Sequence, residues 1–314
     1  RFGVVAGRLA LPIASMMMCF AFLLPGHVAT PILFAASMLA CGAGTGLTDV
    51  VMNARVAALE QKHAAPLMNL CHAGYSFGLA FGAIATGALR SMGLPPSGVL
   101  GIMAVFAAAI AGLTFEADGR ISGLARPKGQ AHLGWVPIVG GAIVMIAFMT
   151  ENAAENWSAL HIEHTLGGSP SAGAMGPAIM AITMGVARLF GQGLAHRMAP
   201  RVMLTGGAVI SAIGVSIAAV STTPNMAYAG FIIMGIGSSV IAPTAFSLVG
   251  QLVEPTAQAR AIARATLFGY FGYFIGPPSI GFLAGMFGLR AAFVFAAVLL
   301  CAVPFLAASI MRRR

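Results

Sequence analysis

Ten long apolar runs fill most of this chain and constrain its fold more than any other feature. They lie near residues 9–25, 29–57, 66–90, 97–115, 133–156, 171–193, 201–221, 225–250, 259–284 and 288–310. A hydrocarbon core of roughly 30 Å takes about 20 apolar residues per helix, so these runs have the length of membrane spans. In lipid, only helices and closed barrels satisfy every backbone polar group. The runs are rich in Ala, Leu, Met and Gly and lack the alternating segments of about ten residues that a barrel needs. Only 8% of the 314 residues are charged and 59% are hydrophobic, against about 25% charged in soluble domains. The expectation is an all-α polytopic membrane protein embedded in the lipid bilayer.

The net charge of +9 raises the question of an acidic partner, and the placement of the basic residues answers it. Arg1, Arg8, Arg55, Lys62, Arg120, Arg126, Lys128, Arg188, Arg197, Arg201, Arg260, Arg264 and Arg312 to Arg314 fall at one set of helix ends, and only Arg90 and Arg290 at the other. By the positive-inside rule the first set is cytoplasmic, with both ends of the chain on that side. Basicity therefore reports topology in a plasma membrane, read as a bacterial inner membrane, and no nucleic-acid partner is expected. Cys19, Cys41, Cys71 and Cys301 lie inside spans without a CxxC pair, so no disulfide framework, metal site or cofactor is indicated.

The stretch Glu116 to Gly134 mixes charge, Gly and Pro between apolar blocks. It reads as a cytoplasmic linker at 116–132, between a half-bundle at 1–115 and a second at 133–314. Four runs precede it and six follow. "GLAHRMAPR" (Gly193 to Arg201) joins the second and third helices of the second half, and it resembles the G-x-L-a-D-R-x-G-R-R loop of the major facilitator superfamily. "RFG" (Arg1 to Gly3) looks like the last part of the same loop, which pairs Arg1 with Arg197 and makes Gly3 and Arg201 parts of the motif. The resemblance implies a bundle of six plus six helices, of which these are helices 3–6 and 7–12, with roughly 60 residues expected ahead of Arg1. His196 and Ala199 depart from the loop pattern, which has Asp and Gly there. A second internal match, "GTGLTDVVMN" (Gly44 to Asn53) with "GIGSSVIAPT" (Gly235 to Thr244), supports the repeat.

Gly46, Asp49 and Asn53 resemble the G-x-x-E-x-x-x-N pattern of fucose permease type sugar:proton symporters, with Asp for Glu. "IAPTAFSL" (Ile241 to Leu248, containing Thr244) is similar to the tenth-helix pattern of that branch. The resemblance implies a secondary transporter, often for sugars, without fixing the solute.

A charge in mid-membrane costs at least about 2.5 kcal/mol on insertion scales and normally faces a protein interior or a water-filled cavity. Spacing of i, i+4, i+8 puts Thr45, Asp49 and Asn53 on one helical face. Asn69, His72 and Ser76 share a face of the next helix, which runs back, and helical rise puts Asp49 and His72 at similar heights. A carboxylate beside an imidazole suits a proton site, so Asp49 and His72 are the candidate proton-coupling pair. Thr45, Asn53, Asn69, Ser76 and Thr244 are candidate solute contacts. The same side chains also suit hydrogen bonding between helices, and both readings stay open. Glu151 and Glu155, one turn apart near the expected outer face, are candidates for an outer vestibule that collects protons or cations. Trp157 fits an interfacial belt. His161 and His164 read as a hydrated loop in preference to a metal site. Tyr270 and Tyr273 precede a Gly-Pro-Pro break and suit either sugar stacking or packing, and the break reads as a hinge. Gly74, Gly78 and Gly82 read as a close-packing stripe, and Arg188 as part of a cytoplasmic collar.

Together these features predict a secondary active transporter that moves a small solute by alternating access, coupled to H⁺, and functions as a monomer. Efflux by the same fold and a non-transporting sensor or scaffold are the alternatives. The sequence has no phosphate-binding loop, so ATP is not the direct energy source. It also has no nucleophile elbow, paired-carboxylate motif or H-E-x-x-H, so an intramembrane enzyme is not expected.

Overall fold

A computed structural model of the chain describes residues 7–63, 67–115, 133–195, 198–254 and 257–311. Ten α-helices account for nearly all of them: α1 (Ala10–Leu23), α2 (Pro31–His63), α3 (Met68–Ser91), α4 (Pro96–Ala111), α5 (Val136–Leu160), α6 (Pro170–Ala195), α7 (Pro200–Val220), α8 (Pro224–Gln251), α9 (Gln258–Phe287) and α10 (Leu289–Met311). Each expected run corresponds to one helix, and no strand occurs among the described residues. The punctuation is that of helix termini. Proline opens the first turn of α4, α7 and α8, where a missing N–H costs nothing. Thr223 caps α8 by accepting from the Met226 N–H at 3.3 Å.

Eight of the helices contain a window apolar enough to cross a membrane. The other two, α3 and α9, are as long but more polar. α3 carries Ser76, Arg90 and several glycines, and α9 carries Arg260, Arg264, Tyr270, Tyr273, Pro277 and Pro278. The α9 helix continues through the Gly-Pro-Pro sequence to Phe287. Large apolar side chains such as Ile32, Leu113, Phe190 and Phe305 lie more than three-quarters exposed. Such an apolar exterior is what a lipid solvent selects.

The helices cluster into two compact units, Arg1–His72 with Ala88–Arg126, and Ala73–Gly87 with Pro127–Arg314. In the first, α1 packs on α2 and α4. Gly44 lets α2 approach α1 closely, since a Cβ there would stand 2.9 Å from the Met18 Cα. The Cys41 thiol donates to the Ala21 carbonyl at 3.3 Å across the same seam.

The second unit has the larger core, with Ile143, Met180, Leu204, Phe231, Met234, Phe293 and Leu300 buried at its centre. Its tightest seam joins α7 to α8. A Cβ on Gly214 would collide with the Met234 backbone nitrogen and one on Gly237 with the Gly207 carbonyl, so glycine sets the helix separation. Ser211 donates to the Met234 carbonyl at 3.1 Å and lies 2.9 Å from the Ser238 hydroxyl. In lipid, small residues and short hydroxyl bonds of this kind hold helices together where no hydrophobic drive exists.

The sequence reading placed all of α3 in the first half-bundle, whereas its Ala73–Gly87 segment clusters with the second unit. The reason is a stripe of small residues: Ala73, Ser76, Ala80 and Gly87 are buried, and Ala80 packs with Ala178 and Ala181 of α6. The Gly74, Gly78 and Gly82 stripe is not the packing face, because a Cβ at any of the three meets nothing within 4 Å among the described residues. Two small-residue patterns share α3, and the alanine and serine one makes the contact.

Candidate functional site

Polar groups inside an apolar bundle survive only with partners, so those partners locate the site. In the first unit, Asn53 Nδ2 donates to Asp49 Oδ1 at 2.9 Å along α2. Both side chains are half-buried, and Thr45 on the same stripe is exposed. The Asp49–Asn53 bond lies within the 31–53 candidate span, at its C-terminal end. The side chains of Asn69 and His72 lie outside the described residues, as do Arg1, Gly3 and Arg197. Arg201 is exposed at the start of α7.

The second unit contains a denser constellation. Glu151 of α5 has a side chain only 4% exposed, and its Oε2 lies 3.8 Å from Nη2 of Arg188 on α6, which is 21% exposed. Arg188 Nη1 donates to the Ser76 hydroxyl of α3 at 3.2 Å. One guanidinium therefore bridges α5 and α3. Glu151 Oε1 has no hydrogen-bond partner and almost no exposed surface. Glu155, one turn further along α5, is within electrostatic reach of both Glu151 and Arg188. The sequence reading had assigned Glu151 to an outer vestibule and Arg188 to a cytoplasmic collar; the structure brings the two side chains together.

An aromatic wall stands beside this pair. Phe148 of α5 stacks on Tyr273 of α9 at 4.5 Å between centroids and on Tyr270 at 6.2 Å. The two helices come this close because Gly272 and Gly276 of α9 sit against Met145 and Met149. Tyr273 lies within electrostatic reach of Glu151, Glu155, Arg188 and Tyr75. Tyr270 and Tyr273 still keep about two-fifths of their surface exposed, at 43% and 38%. They are thus packed on one side and open on the other. Thr244 of α8 is buried. The sequence reading missed Phe148 and the role of Arg188. The signal for Arg188 was present, since it is a charge inside the 171–193 run, as Asp49 is inside its own.

Two residues near the end of α5 have surroundings that the sequence did not announce. His161 is completely buried instead of hydrated. Its Nε2 lies 3.0 Å from the Ala218 carbonyl, a pure acceptor, so Nε2 carries the proton and donates. The chain forms a π-helical turn at His161–Thr165, and the imidazole rests edge-on against Phe293 at 5.2 Å. Trp157 is half-buried against Gly281, with an indole N–H that has no partner among the described residues. No group of three metal-ligating side chains occurs among the described residues.

Known proteins of the same architecture exist. Residues 140–314 match the Major Facilitator Superfamily. An uncharacterized MFS-type transporter of Yersinia pestis is 32% identical over 314 residues, covering 97% of this chain and 79% of its own length. The membrane protein MosC of Rhizobium meliloti is 22% identical and covers 83% of the chain. Among solved structures, a bacterial homolog of the human lysosomal transporter Spinster superposes with a TM-score of 0.68 at 16% identity, over 98% of this chain and 82% of its own. The transporter FucP in its outward conformation gives 0.61 at 16% identity, over 98% and 83%. At such identities the structural matches show the fold, and the sequence matches carry the family. The chain belongs to the Major Facilitator Superfamily of membrane transporters.

Proposed function

We propose that the protein is a secondary active transporter that carries a small solute by alternating access and is driven by protons. The observation that carries this reading is the Asp49–Asn53 pair, bonded at 2.9 Å inside an otherwise apolar span. A carboxylate at that depth is expensive and is normally retained for work on an ion or a solute. With His72 on the following helix it forms the proposed proton-coupling pair. Thr45, Asn53, Asn69, Ser76, Thr244, Tyr270 and Tyr273 are the proposed solute contacts. FucP, which shares this fold, is a fucose:proton symporter, and exposed tyrosine faces beside polar side chains suit a sugar or a related hydroxylated metabolite. The six-plus-six helix arrangement, the monomeric state and the inner-membrane location belong to the same proposal. Efflux of a metabolite or drug uses the same parts with the solute gradient reversed.

The test is solute-driven proton movement by the intact protein in liposomes, screened across sugars, amino acids and organic cations. A transported solute is expected to make the medium alkaline as protons enter with it. Asp49→Asn should abolish this while the melting profile of the purified protein stays unchanged. Undiminished alkalinisation in that variant would remove Asp49 from the coupling step. Activity of the protein without any flux would favour a sensor.

A further inference from the structure

We infer that Glu151 and Glu155, set against Arg188, form a one-proton binding site in the second unit, separate from Asp49. The inference rests on the proton-coupled reading above and adds a site to it.

Glu151 supplies the geometry. Its carboxylate is almost fully enclosed, and its nearest cation stands at 3.8 Å, too far for a hydrogen bond. Oε1 has no donor at all among the described residues and almost no accessible surface. A bare carboxylate oxygen in that setting is among the costliest arrangements a bundle can hold. Oε1 offers almost no surface to a solute in this structure, whereas a proton can bind it.

Charge balance among the described residues supplies the number. Among the described residues, the charged groups around Glu151 are Glu155 on its own helix and Arg188 on α6; α9 also carries Arg260 and Arg264, nine or more residues before Tyr273. From α9 comes the neutral Tyr273, and from α3 the neutral Tyr75 and Ser76. α8 has no charged residue, and the single charge on α10, Arg290, donates to the Ser221 carbonyl at 2.8 Å. Two carboxylates and one guanidinium leave one negative charge in a low-dielectric bundle, where an uncompensated charge is strongly disfavoured. One proton from the aqueous phase, forming an O–H bond at Oε1 and shared toward Glu155, brings the site to neutrality. When the proton leaves, the guanidinium faces two carboxylates, so its hold on Ser76 of α3 competes with a stronger attraction toward α5. Proton release and the α5–α3 bridge are thereby linked.

The experiment counts protons. The intact protein in detergent is stepped from alkaline to neutral pH. Uptake per chain is measured with a pH indicator, and the carbonyl stretch of a buried carboxylic acid is followed by infrared difference spectroscopy. Relative to wild type, Glu151→Gln and Glu155→Gln should each take up one proton fewer, because one carboxylate against Arg188 is already neutral. Arg188→Gln should take up one more. Asp49→Asn should keep the Glu151 band. Wild-type uptake in either glutamine variant would overturn the inference, and so would a Glu151 band that disappears in Asp49→Asn. The two glutamine variants decide the matter even if Arg188→Gln fails to fold. The expected counts with no solute flux in wild type would reject the transport reading alone. Flux with unchanged counts in Glu151→Gln would reject the proton site alone.

Discussion

His161 shows how much a single buried polar side chain contributes in this bundle. Its Nε2–H donates to the Ala218 carbonyl at 3.0 Å, and the Ser221 hydroxyl donates to the same oxygen at 2.7 Å. The ring also fills space against Phe293. Truncation to alanine removes a hydrogen bond and leaves a cavity that packed helices cannot collapse around. His161→Ala should therefore lower stability by about 2–4 kcal/mol. Ser221→Ala removes one shared donor and should cost about 1 kcal/mol. Reversible denaturation in detergent micelles checks both, and a His161→Ala protein as stable as wild type would show that the imidazole does not anchor the α5–α7 contact. Sequence alone placed His161 in a hydrated loop because His161, Glu163 and His164 sit together in a polar stretch. The π-helical turn at His161–Thr165 is what directs the first of them inward, and nothing in residue type announces such a turn.

At the scale of helices, the same chain holds glycines of two kinds, and substitution separates them. Gly214 and Gly237 lie where a Cβ would strike the backbone of the facing helix. Gly214→Ala must push α7 from α8 and disturb the Ser211 bonds to Met234 and Ser238, so a loss of about 1–3 kcal/mol is expected. Gly78 of α3 meets nothing within 4 Å, and Gly78→Ala should be neutral or slightly stabilising, by up to about 1 kcal/mol from helix propensity. Parallel unfolding curves of the two variants test the contrast, and equal effects would contradict the assigned faces. Helix number and limits were legible because hydropathy and length depend on the lipid, which sequence sees directly. The contacting face of α3 was not, since Gly74, Gly78 and Gly82 and the stripe from Ala73 to Gly87 both have helical spacing. Which stripe packs depends on Ala178 and Ala181, about a hundred residues away. Asp49 and Asn53 were legible as one face because i, i+4 spacing is local. Glu151 with Arg188 was not, because it depends on two different helices.

At the scale of the whole molecule, topology turns on α3 and α9, the two helices without a window apolar enough to count as a span. Residues 92–95 follow α3, Gly288 follows α9, and six helices separate them. If all six cross the membrane, both turns lie on one side, the side to which the sequence reading assigns Arg90 and Arg290 as the only cations. Arg290 is compatible with that side because its guanidinium is bound to the Ser221 carbonyl at the α7–α8 turn, which lies on the same face by the same parity. If either α3 or α9 failed to span, every cation beyond it would change sides and the bias of basic residues would collapse. Fusion of alkaline phosphatase, active only outside the cytoplasm, after Leu94 and after Gly288 should therefore give active enzyme. Fusion at Arg314 or within 116–132 should give inactive enzyme. Activity at Leu94 but not at Gly288 would mean an odd number of crossings between them, and it would remove one of the intervening helices, with α9 the first suspect, from the membrane.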